Sequence, residues 1–258
     1  MKTPLKLTAK QFKSLSAIKK IIPEKSYVHS FLMYDGGIEI PLSASNRYVI
    51  AHTNKYSIYE FWTCLSLNPD QVQRVIAYFD NIEDRGMFHY LQQALPNLDE
   101  PYLRAGMFFL LNKYSKDGWV SRGEFMPESF NPLAMANLKK VSFENLMVVY
   151  NKAENFVDTM SSIKRRCDYV FIPVGDFALN YLKNAEDDIN SLSYDQTFVD
   201  TTALKEFMDK KERKVILLYH YSRSVVKYFK DQKLYFVDKY GRIVNDESRA
   251  QEVLVANF

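Results

Sequence analysis

Glycine and proline are scarce, 8 and 9 in 258 residues, which excludes long flexible linkers and low-complexity stretches. Cysteine occurs only at Cys64 and Cys167, in different segments and without Cys-x-x-Cys spacing. That excludes a disulfide scaffold and fits a reducing compartment, with both thiols ordinary buried groups. No apolar run reaches the roughly 18 residues that a membrane-spanning helix needs, and residues 1–6 carry no apolar stretch resembling a secretory signal. A cytoplasmic protein with no membrane partner is the expectation. Charge of one sign is also missing: 34 basic against 31 acidic residues give +3, too mild to signal nucleic-acid binding by itself. The four histidines, His29, His52, His89 and His220, have no ligand-like spacing with one another or with a cysteine, so no metal site is expected. No Gly-x-Ser-x-Gly elbow marks a nucleophile, and no repeat occurs at a solenoid period.

Hydrophobic residues are plentiful at 47%, with 18 Tyr and 18 Phe, enough for a full core in one large domain or a domain with a sizeable insertion. Over 8–22, Phe12, Leu15, Ile18, Ile21 and Ile22 recur every three or four positions and predict an amphipathic helix ended by Pro23. Residues 27–33 read as a strand, Asp35-Gly36-Gly37 as a turn, 38–42 as a short extended continuation, and 48–51 as a second strand. The alternation of strand and helix predicts a doubly wound α/β sheet. From 57 to 154 the pattern becomes helices interrupted at Pro69, Pro96, Pro101 and Pro127, with a turn at 115–118 and a small hairpin at 119–125. This is too much helix for one crossover and reads as an inserted helical subdomain. Strands at 169–174 and 215–219 resume the alternation after it. Residues 234–237 and 252–257 suit a terminal hairpin. The expected division is therefore a core of 1–56 and 155–258 with an insertion at 57–154.

The segment Tyr102-Leu103-Arg104-Ala105-Gly106-Met107-Phe108-Phe109-Leu110-Leu111-Asn112-Lys113-Tyr114, continued by Gly118 and by Arg122-Gly123-Glu124-Phe125-x-Pro127, resembles the central block of Dam-like adenine-N6 DNA methylases. That block runs approximately Arg-Ala-x-x-Phe-Leu-x-Leu-Asn-Arg-Tyr, then Gly, then Arg-Gly-x-Phe-x-x-Pro. Residues 18–23, 48–51 and 215–258 fall in register with other parts of the family, so the resemblance covers most of the chain. It implies a Rossmann-like methyltransferase sheet, with 57–154 in the place of the DNA target-recognition region.

The positions to which the resemblance assigns chemistry do not follow it. The family's Gly-Gly-Lys turn beside the methyl donor, where glycine admits close backbone approach, reads Ala9-Lys10-Gln11. Its Gly-x-Gly loop after the first strand survives as Phe31 and the pair Gly36-Gly37, which also reads as a plain tight turn. The acid that accepts the donor's ribose hydroxyls is replaced by His52 in Ala51-His52-Thr53-Asn54, and imidazole offers no bidentate acceptor. The Asp-Pro-Pro-Tyr signature, whose tyrosine stacks on a flipped base, has become Pro173-Val174-Gly175-Asp176, followed by Phe177.

From these departures the sequence predicts no catalytic residues, no bound cofactor and no enzyme: a methyltransferase-derived protein without activity, acting on duplex DNA or within a protein assembly or homo-oligomer. Lys113, Lys116 and Arg122 are the expected DNA contacts by their place in the block. Two alternatives stand beside this. One is a structural or interaction protein with no DNA contact, its aromatics serving as interface anchors. The other is an active adenine methylase with relocated residues, Asp176 and Phe177 supplying the acid and the stacking ring. The triplet Lys164-Arg165-Arg166 reads either as a solvated charge run or as a phosphate contact.

Overall fold

The computed structural model describes residues 3–6, 13–79, 82, 84–116, 118–121, 123–130, 133–151, 156–177 and 199–258. In chain order the strands are β1 (Tyr27–Ser30), β2 (Tyr48–Thr53), β3 (Leu146–Tyr150), β4 (Tyr169–Gly175), β5 (Val215–His220), β6 (Lys233–Val237), β7 (Ile243–Val244) and β8 (Glu252–Ala256). The helices are α1 (Leu15–Ile21), α2 (Glu39–Ser43), α3 (Tyr56–Leu67), α4 (Pro69–Tyr78), α5 (Arg85–Ala94), α6 (Pro101–Tyr114), α7 (Leu133–Leu138), α8 (Phe156–Ser161), α9 (Thr201–Asp209) and α10 (Arg223–Tyr228). The strands form one sheet in the order β3-β2-β1-β4-β5-β8-β6-β7. β1 to β5 run parallel, and β8 lies antiparallel between β5 and β6. Five parallel strands, an order that reverses between β1 and β4, and a last long strand inserted antiparallel make this the Rossmann-like sheet of methyltransferases, as the sequence predicts.

The sheet separates two cores. One face packs against α1, α2, α3 and the helices up to α7 through Ile18, Ile40, Trp62 and Phe108. The other packs against α8, α9 and α10 through Val170, Leu217, Phe207 and Phe229. β4 and β5 are buried on both faces, and for that reason read as unbroken apolar runs rather than alternating ones. Buried polar side chains fasten helices to the sheet. Arg47 donates to the carbonyls of Ile22 and Lys19 and so satisfies the last turn of α1. Glu252 on β8 accepts from Lys13 N at 2.7 Å and from the Ser14 hydroxyl, holding the other end of α1.

Several elements differ from the sequence expectation. The first helix is described over Leu15–Ile21; Phe12 lies outside the described residues. Residues 38–42 are not extended: Glu39–Ser43 is a helix, with Pro41 in the first turn, where its missing N–H costs nothing. The prolines at 69 and 101 start helices instead of breaking them, each in the first helical position with the preceding Asn68 or Glu100 capping the turn. The end of the segment expected to be helical, Leu146–Tyr150, is β3, paired with β2 at the sheet's edge. Where the sequence predicts a hairpin at 119–125, the described residues show one isolated bridge, Ser115 to Phe125.

Arg104, the arginine of the methylase-like block, is a structural residue. Its Nε and Nη2 make a bidentate pair with Glu60 at 2.7 and 2.5 Å, joining α6 to α3 with the glutamate almost completely buried. Arg104→Met leaves that carboxylate buried without its partner and is expected to cost about 3–5 kcal/mol. Urea unfolding checks it: the midpoint falls, whereas Glu60→Leu combined with Arg104→Met recovers most of the loss.

Candidate functional site

Ligands of open parallel sheets sit beyond the carboxyl ends of the strands, at the point where strand order reverses. Here that point lies between β1 and β4. Phe31 N extends β1 by bonding Phe171 O at 2.9 Å; two residues on, Met33 N bonds His52 O at 3.0 Å. The backbone thus crosses from β4's side to β2's side, turning at Leu32 with φ +62°. Ser30 donates to Glu39 Oε1 at 2.7 Å, and burial raises the Glu39 carboxyl above the usual range. Gly36, at φ +69°, tucks against Ile40 and Trp62, where a Cβ would stand 2.9 Å from the isoleucine. Gly37 N bonds the Asp35 side chain. The Gly36-Gly37 pair therefore serves a packed turn.

His52 stands at the end of β2, and a hydrogen-bonded chain runs through it. His29 Nε2 lies 3.2 Å from Arg166 O, which can only accept, so Nε2 carries the proton and Nδ1 must accept. His52 Nε2, 2.9 Å away, then donates to His29 Nδ1, and His52 Nδ1 accepts from the Asn151 amide at 2.6 Å. One tautomer satisfies every member, and only while both rings are neutral. Burial lowers the pKa of both, that of His52 to about 3. Phe31 covers the His52 ring at 4.3 Å with a 5° interplanar angle.

The fold implies S-adenosylmethionine, and this edge does not fit it in the way the fold family holds it. Both His52 nitrogens are engaged, no carboxylate takes the residue's place, and Phe31 lies on the ring; no step through that donor is derived. At the end of β4, Pro173 and Gly175 flank an irregularity in the pairing with β5, and Gly175 has φ +88°. Val174 and Gly175 are buried, and Asp176 is exposed. The Phe177 ring packs on Tyr228 and Tyr219 at 5.5 and 6.0 Å instead of presenting an open face for a base. Lys10 and Gln11 lie outside the described residues. No three His, Cys, Asp or Glu side chains among the described residues gather to hold a metal ion.

Among the described residues, the expected DNA contacts differ in exposure. Lys113 is buried against the Phe109 ring, its pKa pushed down to about 8 by desolvation with Lys6 adding, so it is corrected from a phosphate contact to a packed side chain. Its hydrocarbon stem suits the helix face that position 113 shares with the core. Lys116 is exposed and lies 3.8 Å from Glu124. Arg122 falls outside the described residues.

A different surface carries basic and aromatic groups together. On the α8 face of the sheet, Tyr27 and His29 of β1 and Phe31 just beyond it stand beside Tyr48, Ile50 and His52 of β2, with Met147 and Val149 of β3 next to them. No helix of the described residues covers its amino-terminal half: Tyr48 is 38% exposed and Met147 46%. Tyr27 and Tyr48 stack at 4.7 Å and 22°, and the Arg166 guanidinium lies 4.5 Å over Tyr27. Arg165 Nη1 reaches Met147 Sδ at 2.7 Å, and Lys164, next in the chain, is exposed. The triplet is visible in the sequence. Its ring partners are not, because they meet only through strand register.

No family model and no curated protein matches the sequence. Solved structures that it matches include an rRNA methylase from Streptococcus thermophilus, at 9% identity over 94% of this chain and 92% of that one, with a TM-score of 0.37. They also include the methyltransferase subunit of a type I restriction-modification system from Streptococcus thermophilus, at 6% identity and TM-score 0.34, over 99% of this chain but 45% of that one. Strand order, rather than these distant likenesses, fixes the fold. The expectation of a non-enzyme is corrected: the fold is that of methyltransferases, the matched proteins are methyltransferases, and no feature of the described residues shows that activity is lost. The altered motifs bear on how a donor is held. No helix among the described residues is long and apolar enough to cross a membrane.

The histidine chain makes stability depend on pH. A histidine whose pKa is depressed in the folded state takes up a proton on unfolding. His52's contribution is therefore complete above about 6.5 and is lost as pH falls toward about 3. Glu39, raised by burial, acts in the opposite sense. Comparison of the parent with His52→Gln isolates the imidazole. Between about pH 6 and pH 4 the parent is expected to lose about 1.4 kcal/mol per pH unit more than the variant, read from urea midpoints. Equal slopes would mean that the folded protein does not hold His52 neutral.

Proposed function

We propose that this protein of methyltransferase fold binds nucleic acid, through the open sheet face beside β1, β2 and β3, and that it is kin to the Dam-like adenine methylases. The observation that carries the binding is Arg166 lying over the Tyr27 ring that stacks on the exposed Tyr48, with Arg165 at the neighbouring Met147 sulfur. Cations attract phosphates whatever the base sequence, and rings and guanidinium planes add stacking that tolerates any base. The surface is held firmly: the Arg166 carbonyl accepts from His29, and Asp168 takes Tyr27 N at 2.8 Å while standing 3.6 Å from Arg166 Nε. Kinship is supported by the block at 102–127, whose arginine and asparagine both have structural work. Arg104 pairs with Glu60, and Asn112 bonds the backbone of Lys6 and Gly118.

A second reading, assembly with a protein partner or a second copy, is favoured by one observation. Leu67, Tyr78, Tyr90 and Leu133 of the helices between β2 and β3 are largely exposed. Sedimentation of the protein free of nucleic acid decides it, a monomer across the micromolar range counting against self-assembly.

Nucleic-acid binding is tested by titration at several salt concentrations. Three phosphates neutralised on a single strand give a slope of log K against log salt of roughly −2, and each cation removed is expected to reduce it by about 0.7. Arg165→Gln with Arg166→Gln is thus predicted to weaken binding and flatten the slope, whereas Lys116→Gln leaves both unchanged. A parent protein that binds no nucleic acid at low salt would sink the reading.

A further inference from the structure

We infer that the ligand of this face is single-stranded nucleic acid, one unpaired base of which continues the Arg166–Tyr27–Tyr48 stack over the start of β3. The inference rests on the nucleic-acid reading above and specifies its ligand.

The stack has one closed end and one open end. At the closed end the Arg166 guanidinium lies over Tyr27. Tyr48, next across the sheet, is the more exposed ring. Beyond it the register brings no third ring: Asn145 bonds Val49 N with its carbonyl just before β3 begins, and the following side chain on this face is Met147. β3 is the outermost strand among the described residues, and none of them adds a strand flanking the lane on that side. A planar group entering there finds the Tyr48 ring edge and face, the soft thioether of Met147, and Arg165 at that sulfur.

Charge and shape both favour an unpaired strand. Arg166 stands at the closed end of the lane over Tyr27 and Arg165 at its β3 end by Met147, with Lys164 exposed next in the chain, which puts cations within reach of the backbone of a strand whose base enters the lane. Asp168, two residues on, is committed to Tyr27 N and to Arg166 Nε. A duplex keeps its bases stacked on each other and shows only their edges in the grooves, so none is available to a ring lying flat on a sheet. A flat face also offers no helix or ribbon to enter a major groove. The neutral histidine chain farther along the same face fixes the Arg166 backbone, so the platform is built before the ligand arrives.

The test uses the full chain and fluorescein-labelled strands of about 12 nucleotides, as DNA, as RNA and as the blunt duplex of the same sequence, read by anisotropy. Single strands are expected to bind at least about tenfold more tightly than the duplex. Tyr48→Leu is expected to weaken single-strand binding about tenfold without changing the salt slope, whereas Tyr48→Phe binds as the parent does. Met147→Glu, which places a negative charge in the lane, gives a second handle should Tyr48→Leu fold poorly by circular dichroism; it is expected to lose single-strand binding. A 2-aminopurine in the strand is expected to be quenched by the parent and not by Tyr48→Leu. Either sugar supports the inference, and the DNA-to-RNA ratio identifies the strand. A duplex bound as tightly as the single strand, or parent-like affinity in both Tyr48→Leu and Met147→Glu, overturns it while leaving the general reading intact as long as Arg165→Gln with Arg166→Gln still weakens binding. Absence of binding to any strand overturns both.

Discussion

The hydrogen-bonded chain from Asn151 through His52 and His29 to the carbonyl of Arg166 is the constraint on which the functional end of this sheet depends. It spans β3, β2, β1 and the approach to β4, and it works only with both imidazoles neutral. Each ring lends a donor to one side and an acceptor to the other, so no member is left with an unpaid polar group in a buried place. The same arrangement consumes both nitrogens at the end of β2, where a carboxylate would serve a ribose. It also fixes the segment that carries Arg165 and Arg166. A single polar network therefore shapes both the carboxyl edge and the open face.

The two faces of the sheet are covered unequally, and the proposed binding surface follows from that inequality. On one side the helices from α1 to α7 make a thick layer, tied by Arg47, Glu252 and the Glu60–Arg104 pair. On the other, α8, α9 and α10 cover β4, β5 and the antiparallel strands, while the described residues between β3 and β4 provide only the six-residue α8. The amino-terminal half of β1, β2 and β3 is left with tyrosines, a methionine and arginines at its surface. Such residues combine an apolar body with a polar or cationic tip, which suits a surface that is dry when occupied and wet when not.

Much of the scaffold is legible in the chain because its signals are local. The buried runs at β4 and β5, the terminal pairing of β6 with β8, and the helical stretch at 102–114 follow from apolar continuity and turn residues. The misread elements are those in which one pattern fits two structures. Leu146-Met147-Val148-Val149-Tyr150 is a short apolar run that periodicity cannot tell from helix, and it lies among helices. Ile38-Glu39-Ile40-Pro41-Leu42 alternates like a strand yet coils, because Ile40 and Leu42 are both buried in a helix packed beside β2. Lys113 is likewise charged in sequence and buried in space, since a helix buried nearly all round leaves it no outward side.

The sequence by itself determined the alternation of strand and helix, the helical excursion after β2, and the presence of a histidine rather than an acid at position 52, each being a property of a few adjacent residues. Tertiary structure decided what that histidine does. His29 and His52 are 23 positions apart and Asn151 is almost a hundred further on; only parallel pairing of three strands sets their rings and amide within hydrogen-bonding distance. The same holds for the stack of Arg166, Tyr27 and Tyr48. A strand places alternate side chains on one face by rule, but which residues become neighbours across the face is fixed by register, and register is settled by the whole buried sheet at once.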